Sequence, residues 1–225
     1  MSSIPTDSIQ QIAERIKRQQ RRLFLAGLLA ILSIVGFFFF KRYQDQQNKD
    51  AQSEMFQAVY YFEQEEFDKA LNGDGVFLGL LDIVNTYRFT QAAKLAHFYI
   101  GVSYMHQHDY EKAIQYLTKF RSKDWLIQAR AWVLLGDAYT EQKNYEEAAN
   151  YYHKATNYRP NKSFTPHYLF KAALAYEAAE QLDKALNCYE RIVQEFPEVP
   201  QYGEALKHAA RLRILQEQPQ ESPNQ

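Results

Sequence analysis

The sequence has a single cysteine, Cys188, and almost no net charge. One cysteine excludes an intrachain disulfide framework and a zinc site built from cysteines. The formal net charge is −1 at pH 7 over 225 residues. Nucleic-acid binding normally requires a strongly basic face, so the composition predicts no nucleic-acid partner.

The motifs of common catalytic and metal sites are also missing from the sequence. It has no glycine-rich phosphate loop, no nucleophile elbow and no His-Glu-x-x-His pair. His106 and His108 flank a predicted exposed turn without a third ligand, which is typical of solvated histidines. We therefore expect no catalytic, cofactor-binding or metal-binding residues, and no enzyme activity.

What the sequence does contain is a large apolar and aromatic fraction. Hydrophobic residues make up 46% of the chain and aromatic residues 15%, including 17 tyrosines. This composition excludes wholesale disorder. Many aromatic rings must therefore be packed inside the protein or used for contacts.

Residues 23–40 form an uncharged run, LFLAGLLAILSIVGFFFF, bounded by basic pairs on both sides. As a helix it would be about 27 Å long, close to the thickness of a hydrocarbon core. A core helix would need the rest of the chain around it, which the flanking charges disfavour. A cleaved signal peptide normally has a shorter apolar region followed by small residues. The run therefore predicts a transmembrane helix that contacts the lipid bilayer.

The residues on either side of this run predict the orientation of the span. Residues 1–22 carry five basic residues (Arg15, Lys17, Arg18, Arg21 and Arg22). The positive-inside bias favours a cytoplasmic position for this basic segment, and export of the C-terminal domain. Residues 41–53 form a linker without glycine or proline, which can continue the anchor helix.

One frame of spacings recurs four times in the remaining chain. Pairs of small residues stand twelve apart, with a tyrosine three positions after the first small residue. The small pairs are Ala58 and Ala70, Gly101 and Ala113, Gly136 and Ala148, and Ala173 and Ala185. The tyrosines are Tyr61, Tyr104, Tyr139 and Tyr176. Self-similarity at intervals of this size predicts a repeat array.

The third copy shows what the frame does physically. Trp132, Gly136 and Tyr139 lie on one face of a helix, and Ala148 lies on a second helix after a short polar turn. A large side chain at the crossing would hold the two backbones apart. We therefore expect Gly136 and Ala148 to let the helices touch, with aromatic rings filling the space beside them.

Residues 129–162 resemble a tetratricopeptide repeat at every signature position, namely Trp132, Leu135, Gly136, Tyr139, Ala148, Tyr152, Ala155 and Pro160. The resemblance implies an all-α solenoid of helical hairpins. The predicted repeats cover residues 51–87, 94–127, 129–162 and 166–199, within a domain of residues 54–215. An insertion after Ala70 in the first copy is followed by an apolar helix predicted over residues 76–87. Residues 202–215 are predicted to form a capping helix, and residues 216–225 a disordered tail.

The first helix of each hairpin lines the concave side of such a stack. The expected groove for a protein partner comprises Phe98, Val102, Met105, Arg130, Val133, Asp137, His167, Phe170 and Leu174, with Leu95, Thr140 and Glu177 at equivalent positions. Family members that grip a C-terminal carboxylate use lysine and asparagine there, so we expect a groove for unfolded or helical protein segments instead. The alternative that these side chains only pack against neighbouring hairpins stays open.

The layout of basic segment, span and repeat array is similar to the YfgM-type ancillary subunits of the bacterial SecYEG translocon. The resemblance implies a scaffold at the inner membrane with a periplasmic repeat domain, and the translocon, chaperones or client polypeptides as partners. Two alternatives are a scaffold for envelope assembly or cell division, and a structural module that self-associates.

Overall fold

The computed structural model describes residues 6–217, with side chains described at positions 20, 24, 27–29 and from 31 onward. Over these residues the predicted all-α architecture is confirmed. In chain order the helices are α1 (Thr6–Glu63), α2 (Phe67–Asn72), α3 (Leu80–Thr86), α4 (Gln91–His106), α5 (Tyr110–Leu117), α6 (Trp125–Glu141), α7 (Tyr145–Thr156), α8 (Thr165–Ala178), α9 (Leu182–Glu195) and α10 (Tyr202–Glu217).

The chain divides into two units, residues 1–49 and residues 50–225. In the first unit, every described side chain between Phe24 and Phe40 is exposed. Within the described residues, one helix is long and apolar enough to cross a bilayer; the candidate begins at Gly27 and its apolar window has a mean hydropathy of 1.3. Side chains of the predicted basic segment 1–22 lie outside the described residues, apart from Gln20.

The second unit is a row of helical hairpins. The pairs are α4 with α5, α6 with α7, and α8 with α9, and each hairpin also packs against the next. The first copy uses the end of α1, where Ala51, Met55 and Ala58 are buried, together with α2. Helix α10 packs on α9 through Ala205 and Leu212 among its buried residues. Its last residue is Glu217, and the rest of the predicted disordered tail, residues 218–225, lies outside the described range.

All four hairpins turn in the same way. The backbone N–H of Asp109 donates to the carbonyl oxygen of Tyr104 at 2.9 Å, and the N–H of His108 donates to Met105 at 3.1 Å. These two bonds define a Schellman motif, whose central residue takes the left-handed conformation. The equivalent turn centres are Glu65, His108, Lys143 and Glu180, with φ between 59° and 60°. The repeated frame in the sequence thus corresponds to a repeated backbone geometry.

The repeat-packing residues lie at the hairpin interfaces, where both glycines are in close contact with the second helix. Gly136 lies beneath the ring of Tyr152, so that a Cβ atom there would lie 2.5 Å from the ring. Gly101 lies beneath the side chain of Leu117 in the same way. Each glycine therefore makes room for a large side chain four positions further along the second helix than its paired alanine, and at Gly101 the backbone oxygen of that alanine, Ala113, would also lie 3.4 Å from a Cβ atom.

The remaining residues of the frame are buried or half-buried. Tyr139 stacks on Tyr151 with ring centroids 5.5 Å apart, and Trp132 meets Tyr158 edge to face at 5.1 Å. The fully or nearly fully buried members are Tyr104, Ala113, Ala148, Ala173, Tyr176 and Ala185. The frame therefore marks the core of each hairpin.

The insertion in the first copy differs from the predicted helix over residues 76–87. Helix α3 begins only at Leu80, because Asp74 holds the preceding residues in a turn. One Asp74 carboxylate oxygen accepts the backbone N–H groups of Val76 and Phe77 at 2.9 and 2.8 Å, and the other accepts the Tyr61 hydroxyl at 2.7 Å. These bonds compete with helix formation, so Val76 stays 82% exposed.

Helix starts also differ from the predicted repeat limits by a few residues. Helix α6 begins at Trp125, four residues before the predicted third repeat, because Asp124 caps it by accepting the N–H of Leu126 at 2.9 Å. Helix α4 begins at Gln91, after the Thr90 hydroxyl accepts the N–H of Ala93 at 3.0 Å. Helices α4 and α6, which line the groove described below, are therefore longer at their N-terminal ends than the repeat limits predicted.

Candidate functional site: a groove on the first helices

Three first helices, α4, α6 and α8, form the walls of an open cavity of about 510 Å³. Its lining is mostly apolar and aromatic: Leu95, Phe98, Tyr99, Leu126, Ile127, Arg130, Phe164, His167 and Tyr168. We call this cavity the groove. Leu126 and Phe164 are 38% and 39% exposed, so a bound molecule could cover apolar surface that now contacts water.

Short turns just before α6 and α8 position the residues at the two rims of the groove. The Asp124 cap gives α6 an extra turn, which carries Leu126 and Ile127. On the other side, the Asn161 side chain accepts the backbone N–H groups of Ser163 and Phe164 at 3.1 and 2.9 Å. This turn places Phe164 directly before the start of α8. Both rims therefore depend on a short polar side chain just before a helix.

The groove carries one permanent charge. Arg130 is exposed, and among the described residues it has no ion pair. Burial lowers the pKa of His167, and the charge of Lys171 lowers it further. No aspartate or glutamate lines the groove in the described residues. The groove lining is therefore complementary to an apolar peptide segment that also carries a carboxylate group.

Next to the groove, a cluster of charged and polar side chains connects α6 with α7 and α8. Lys171 on α8 forms an ion pair with Asp137 on α6 at 2.6 Å. The hydroxyl of Tyr152 donates to the same Asp137 oxygen at 2.6 Å. Burial, together with the Asp137 charge, raises the pKa of Tyr152, so its hydroxyl keeps its proton. Through this one oxygen Asp137 links α6 to both α7 and α8.

The structure brings together some of the residues predicted for the groove and separates others. Phe98, Arg130 and His167 share the cavity with Leu95. Val133 is 1% exposed and does not line the cavity, which agrees with the alternative that such residues pack against a neighbouring hairpin. It belongs to a core cluster that includes buried residues of α7 and α8.

The other predicted groove residues lie beside the cavity. Met105 packs against the core of the first two copies, and Val102 packs near Leu117 in a small cluster. Phe170 contacts the rings of Tyr189 and His208. Leu174 is 43% exposed but does not line the groove. These residues remain candidates for partner contacts outside the cavity.

Sequence reasoning missed several residues of the groove, among them Leu126, Ile127 and Phe164. Leu126 and Ile127 were assigned to the end of the second repeat, and Phe164 lies between the third and fourth repeats. The signal that could have found the first two was Asp124 directly before an apolar run, which is typical of a helix start. No repeat-based signal marks Phe164, because its position depends on the turn at Asn161.

Comparisons with known proteins agree with this geometry. Two family models, both described as tetratricopeptide repeat, match residues 100–162 and 168–198. Over these residues the chain is similar to tetratricopeptide repeats. Repeats of this kind form protein–protein interaction scaffolds and are generally non-catalytic.

Solved structures show the same fold as this repeat array. The crystal structure of MamA is 18% identical, covers 71% of this chain and 94% of its own, and superposes with a TM-score of 0.51. The nearly identical TPR-like repeats of a Podosopora anserina protein are 16% identical, cover 77% of this chain and 90% of their own, with a TM-score of 0.54. No curated protein sequence gives a significant match to this chain.

Proposed function

We propose that this protein is a membrane-anchored tetratricopeptide repeat scaffold that binds segments of other proteins in its groove. The observation that carries the proposal is the open apolar cavity across three first helices, with Leu126 and Phe164 exposed on its rims. Covering such a surface would stabilise a complex by roughly 25 cal/mol per Å² of buried apolar area. Arg130 would then favour a segment with a carboxylate beside its apolar side chains.

The membrane part of the proposal rests on the first unit. Its described apolar side chains between Phe24 and Phe40 are exposed, which would be costly in water and favourable in lipid. The basic residues before the span favour a cytoplasmic start and an exported, periplasmic repeat domain at a bacterial inner membrane. The partners would then be the translocon, chaperones or client polypeptides, as for a YfgM-type ancillary subunit.

Site-specific photocrosslinking in intact membranes tests the groove. A benzophenone amino acid replaces Leu126 or Phe164, and a matched variant carries it at Asn150, which is exposed on the second helix α7. We expect protein adducts from both rim positions and few from Asn150. Equal adducts at all three positions would contradict a specific groove. Adducts with cell-wall enzymes instead of translocon subunits would favour an envelope-assembly or cell-division scaffold.

A separate experiment tests the anchor. Alkaline carbonate should leave the full chain in the membrane pellet, because a spanning helix resists extraction. Protease added to spheroplasts should degrade the repeat domain if it is exported. Release of the chain by carbonate would contradict the anchor without affecting the groove.

A further inference from the structure

Within the second unit, three first helices begin at one common end. Leu95 of α4, Leu126 of α6 and Phe164 directly before α8 line the same cavity, and each lies close to the start of its helix. The connections that lead into these helices therefore lie at this end, and the hairpin turns lie at the opposite end. We call the three connections the basic edge: residues 87–90, 118–124 and 157–164.

The basic edge and the hairpin turns carry charges of opposite sign. The edge contains one acid, Asp124, whose carboxylate caps α6. Its six basic residues are all exposed: Arg88, Lys119, Arg121, Lys123, Arg159 and Lys162. The turn segments contain eleven aspartates and glutamates and one lysine; they are residues 63–68, 107–111, 141–147 and 180–183. The cations of the repeat array are thus concentrated where the first helices begin.

The charges of the basic edge are not neutralised by carboxylates of the same chain. None of its six cations forms an ion pair within the part of the chain that the structure describes. Lys119 lies over the ring of Tyr116 at 5.0 Å. Arg121 donates to the carbonyl oxygens of Thr118 and Phe120 at 2.7 and 2.6 Å. These contacts orient the cations but keep their charge, so the edge attracts an anionic partner.

The first connection of the basic edge also exposes a large apolar side chain. Phe89 directly follows Arg88, is 79% exposed and does not line the groove. Protein segments that lie on a membrane combine arginine or lysine with phenylalanine in this way. The cations meet the headgroups, and the ring enters the boundary with the acyl chains. The basic edge therefore has both components of a surface that binds a bilayer.

The chain enters the second unit at the basic edge. Burial raises the pKa of the Tyr87 hydroxyl, and the charges of Glu54 and Asp50 raise it further, so Asp50 lies near the first connection. Asp50 is the first residue of this unit. Ten residues, 41–50, follow the apolar run that ends at Phe40. Because ten residues span at most about 35 Å, a bilayer that holds the apolar run is within reach of this edge.

We propose that the basic edge binds the surface of the bilayer through anionic lipid headgroups, with Phe89 in the interface. The proposal rests on the membrane anchor proposed above, because the anchor keeps lipid near the edge. Headgroup phosphates would accept hydrogen bonds from the arginines and pair with the lysines. An acidic protein segment would also complement the charge. The tether favours lipid, since it gives the bilayer a high effective concentration at this edge.

Full-length protein in nanodiscs tests the proposal. A nitrobenzoxadiazole fluorophore is attached to the variant Ser163→Cys, at the basic edge, or to Gln142→Cys, at a hairpin turn; both positions are exposed. Cys188 is buried, and burial raises the pKa of its thiol to about 11, so it stays unlabelled. The nanodiscs contain phosphatidylcholine with or without phosphatidylglycerol, and a doxyl-labelled phosphatidylcholine quenches any fluorophore close to lipid.

At about 0.1 M salt we expect about twofold stronger quenching at position 163 when phosphatidylglycerol is present. The difference should disappear at about 1 M salt, where screening limits attraction to about 3 Å. The label at position 142 should not respond to phosphatidylglycerol. The double variant Arg159→Glu, Lys162→Glu should abolish the added quenching at position 163. The matched variant Lys143→Glu, at a hairpin turn, should leave it unchanged.

Three results would overturn the proposal. Quenching at position 163 could be the same with and without phosphatidylglycerol, or phosphatidylglycerol could act equally at positions 163 and 142. An acidic peptide could change the fluorescence at position 163 while phosphatidylglycerol does not, which would assign the edge to protein segments. A chain that does not co-purify with the nanodiscs would refute the anchor and this proposal together, whereas a chain that co-purifies without the lipid effect would refute this proposal alone.

Discussion

At the scale of single residues, each hairpin turn holds a non-glycine residue in the left-handed conformation. Glu65, His108, Lys143 and Glu180 all take this conformation, where glycine is the usual residue. A side chain at positive φ costs about 1–2 kcal/mol. The four turns therefore each keep some strain that a glycine would relieve.

Substitution of one turn residue should measure this strain. Lys143→Gly should raise the free energy of unfolding by up to about 1 kcal/mol, since the relief exceeds the entropy cost of glycine. Lys143→Val should lower it by about 1 kcal/mol, because a β-branched side chain fits this conformation worst. Thermal unfolding of the full chain in detergent, followed by circular dichroism, gives both values. Identical melting temperatures for all three proteins would contradict the assigned turn.

Asp74 gives a prediction about pH. Hydrogen bonds from the backbone of Phe77, the hydroxyl of Tyr61 and the backbone of Val76 lower its pKa from 3.8 to about 2. Because the folded-state pKa is depressed, its contribution to stability is present above the unfolded value and is lost as pH falls towards about 2. NMR titration of the carboxyl carbon should show this low pKa.

The variant Asp74→Asn is the matched control for this pH effect. It keeps a side-chain oxygen that accepts the backbone N–H groups but has no charge. The melting-temperature difference between the two proteins should be present near pH 6 and shrink as pH falls from about 4 to about 2. A difference independent of pH would mean that the charge contributes nothing to the turn.

At the scale of helices, α10 combines a core side with two exposed sides. Leu212 is 1% exposed, whereas Leu215, three residues later, is 48% exposed. Leu212→Ala should lower the free energy of unfolding by about 2–5 kcal/mol, because it leaves a cavity between α10 and α9. Leu215→Ala should change it by less than about 0.5 kcal/mol. Denaturant unfolding compares the two, and equal effects would show that α10 does not pack as described.

The sequence predicted the helical fold but not the starting residues of two of its helices, α3 and α6. The repeated frame predicted the all-α fold, because small residues and tyrosines recur at fixed distances on paired helices. The start of α3 could not be predicted from apolar periodicity, because the side chain of Asp74 satisfies backbone donors that a helix would need. The start of α6 was missed because the alignment gave Trp125 to the preceding repeat.

At the scale of the whole molecule, the groove could be predicted only in part. Leu95, Arg130 and His167 lie at equivalent repeat positions, and Phe98 lies three residues after Leu95, so the alignment placed all four on one concave side. Phe164 reaches the groove through a turn outside the repeats, and Val133 leaves it through packing against the next hairpin. Such placements depend on contacts between hairpins, which the spacing within one repeat does not contain.

The whole array depends on close packing of a small residue beneath a large side chain of the same hairpin. Gly136 and the ring of Tyr152 are the clearest case, because the ring is buried and hydrogen-bonded to Asp137 and cannot move aside easily. If this packing fails, α6 and α7 can no longer pack closely in this hairpin, and we expect the position of α6 in the groove wall to change.

The most direct measurement is the free energy of unfolding of Gly136→Ala beside Gly203→Ala. Both glycines lie in helices, where alanine is favoured by up to about 1 kcal/mol, but only Gly136 has a neighbour in the way of a Cβ atom. We predict that Gly136→Ala destabilises the protein by about 1–3 kcal/mol, that Gly203→Ala does not destabilise it, and that the Gly136→Ala penalty disappears in a Tyr152→Ala background. A Gly136→Ala variant as stable as Gly203→Ala, or a penalty unchanged without the Tyr152 ring, would contradict the packing on which the fold and its groove depend.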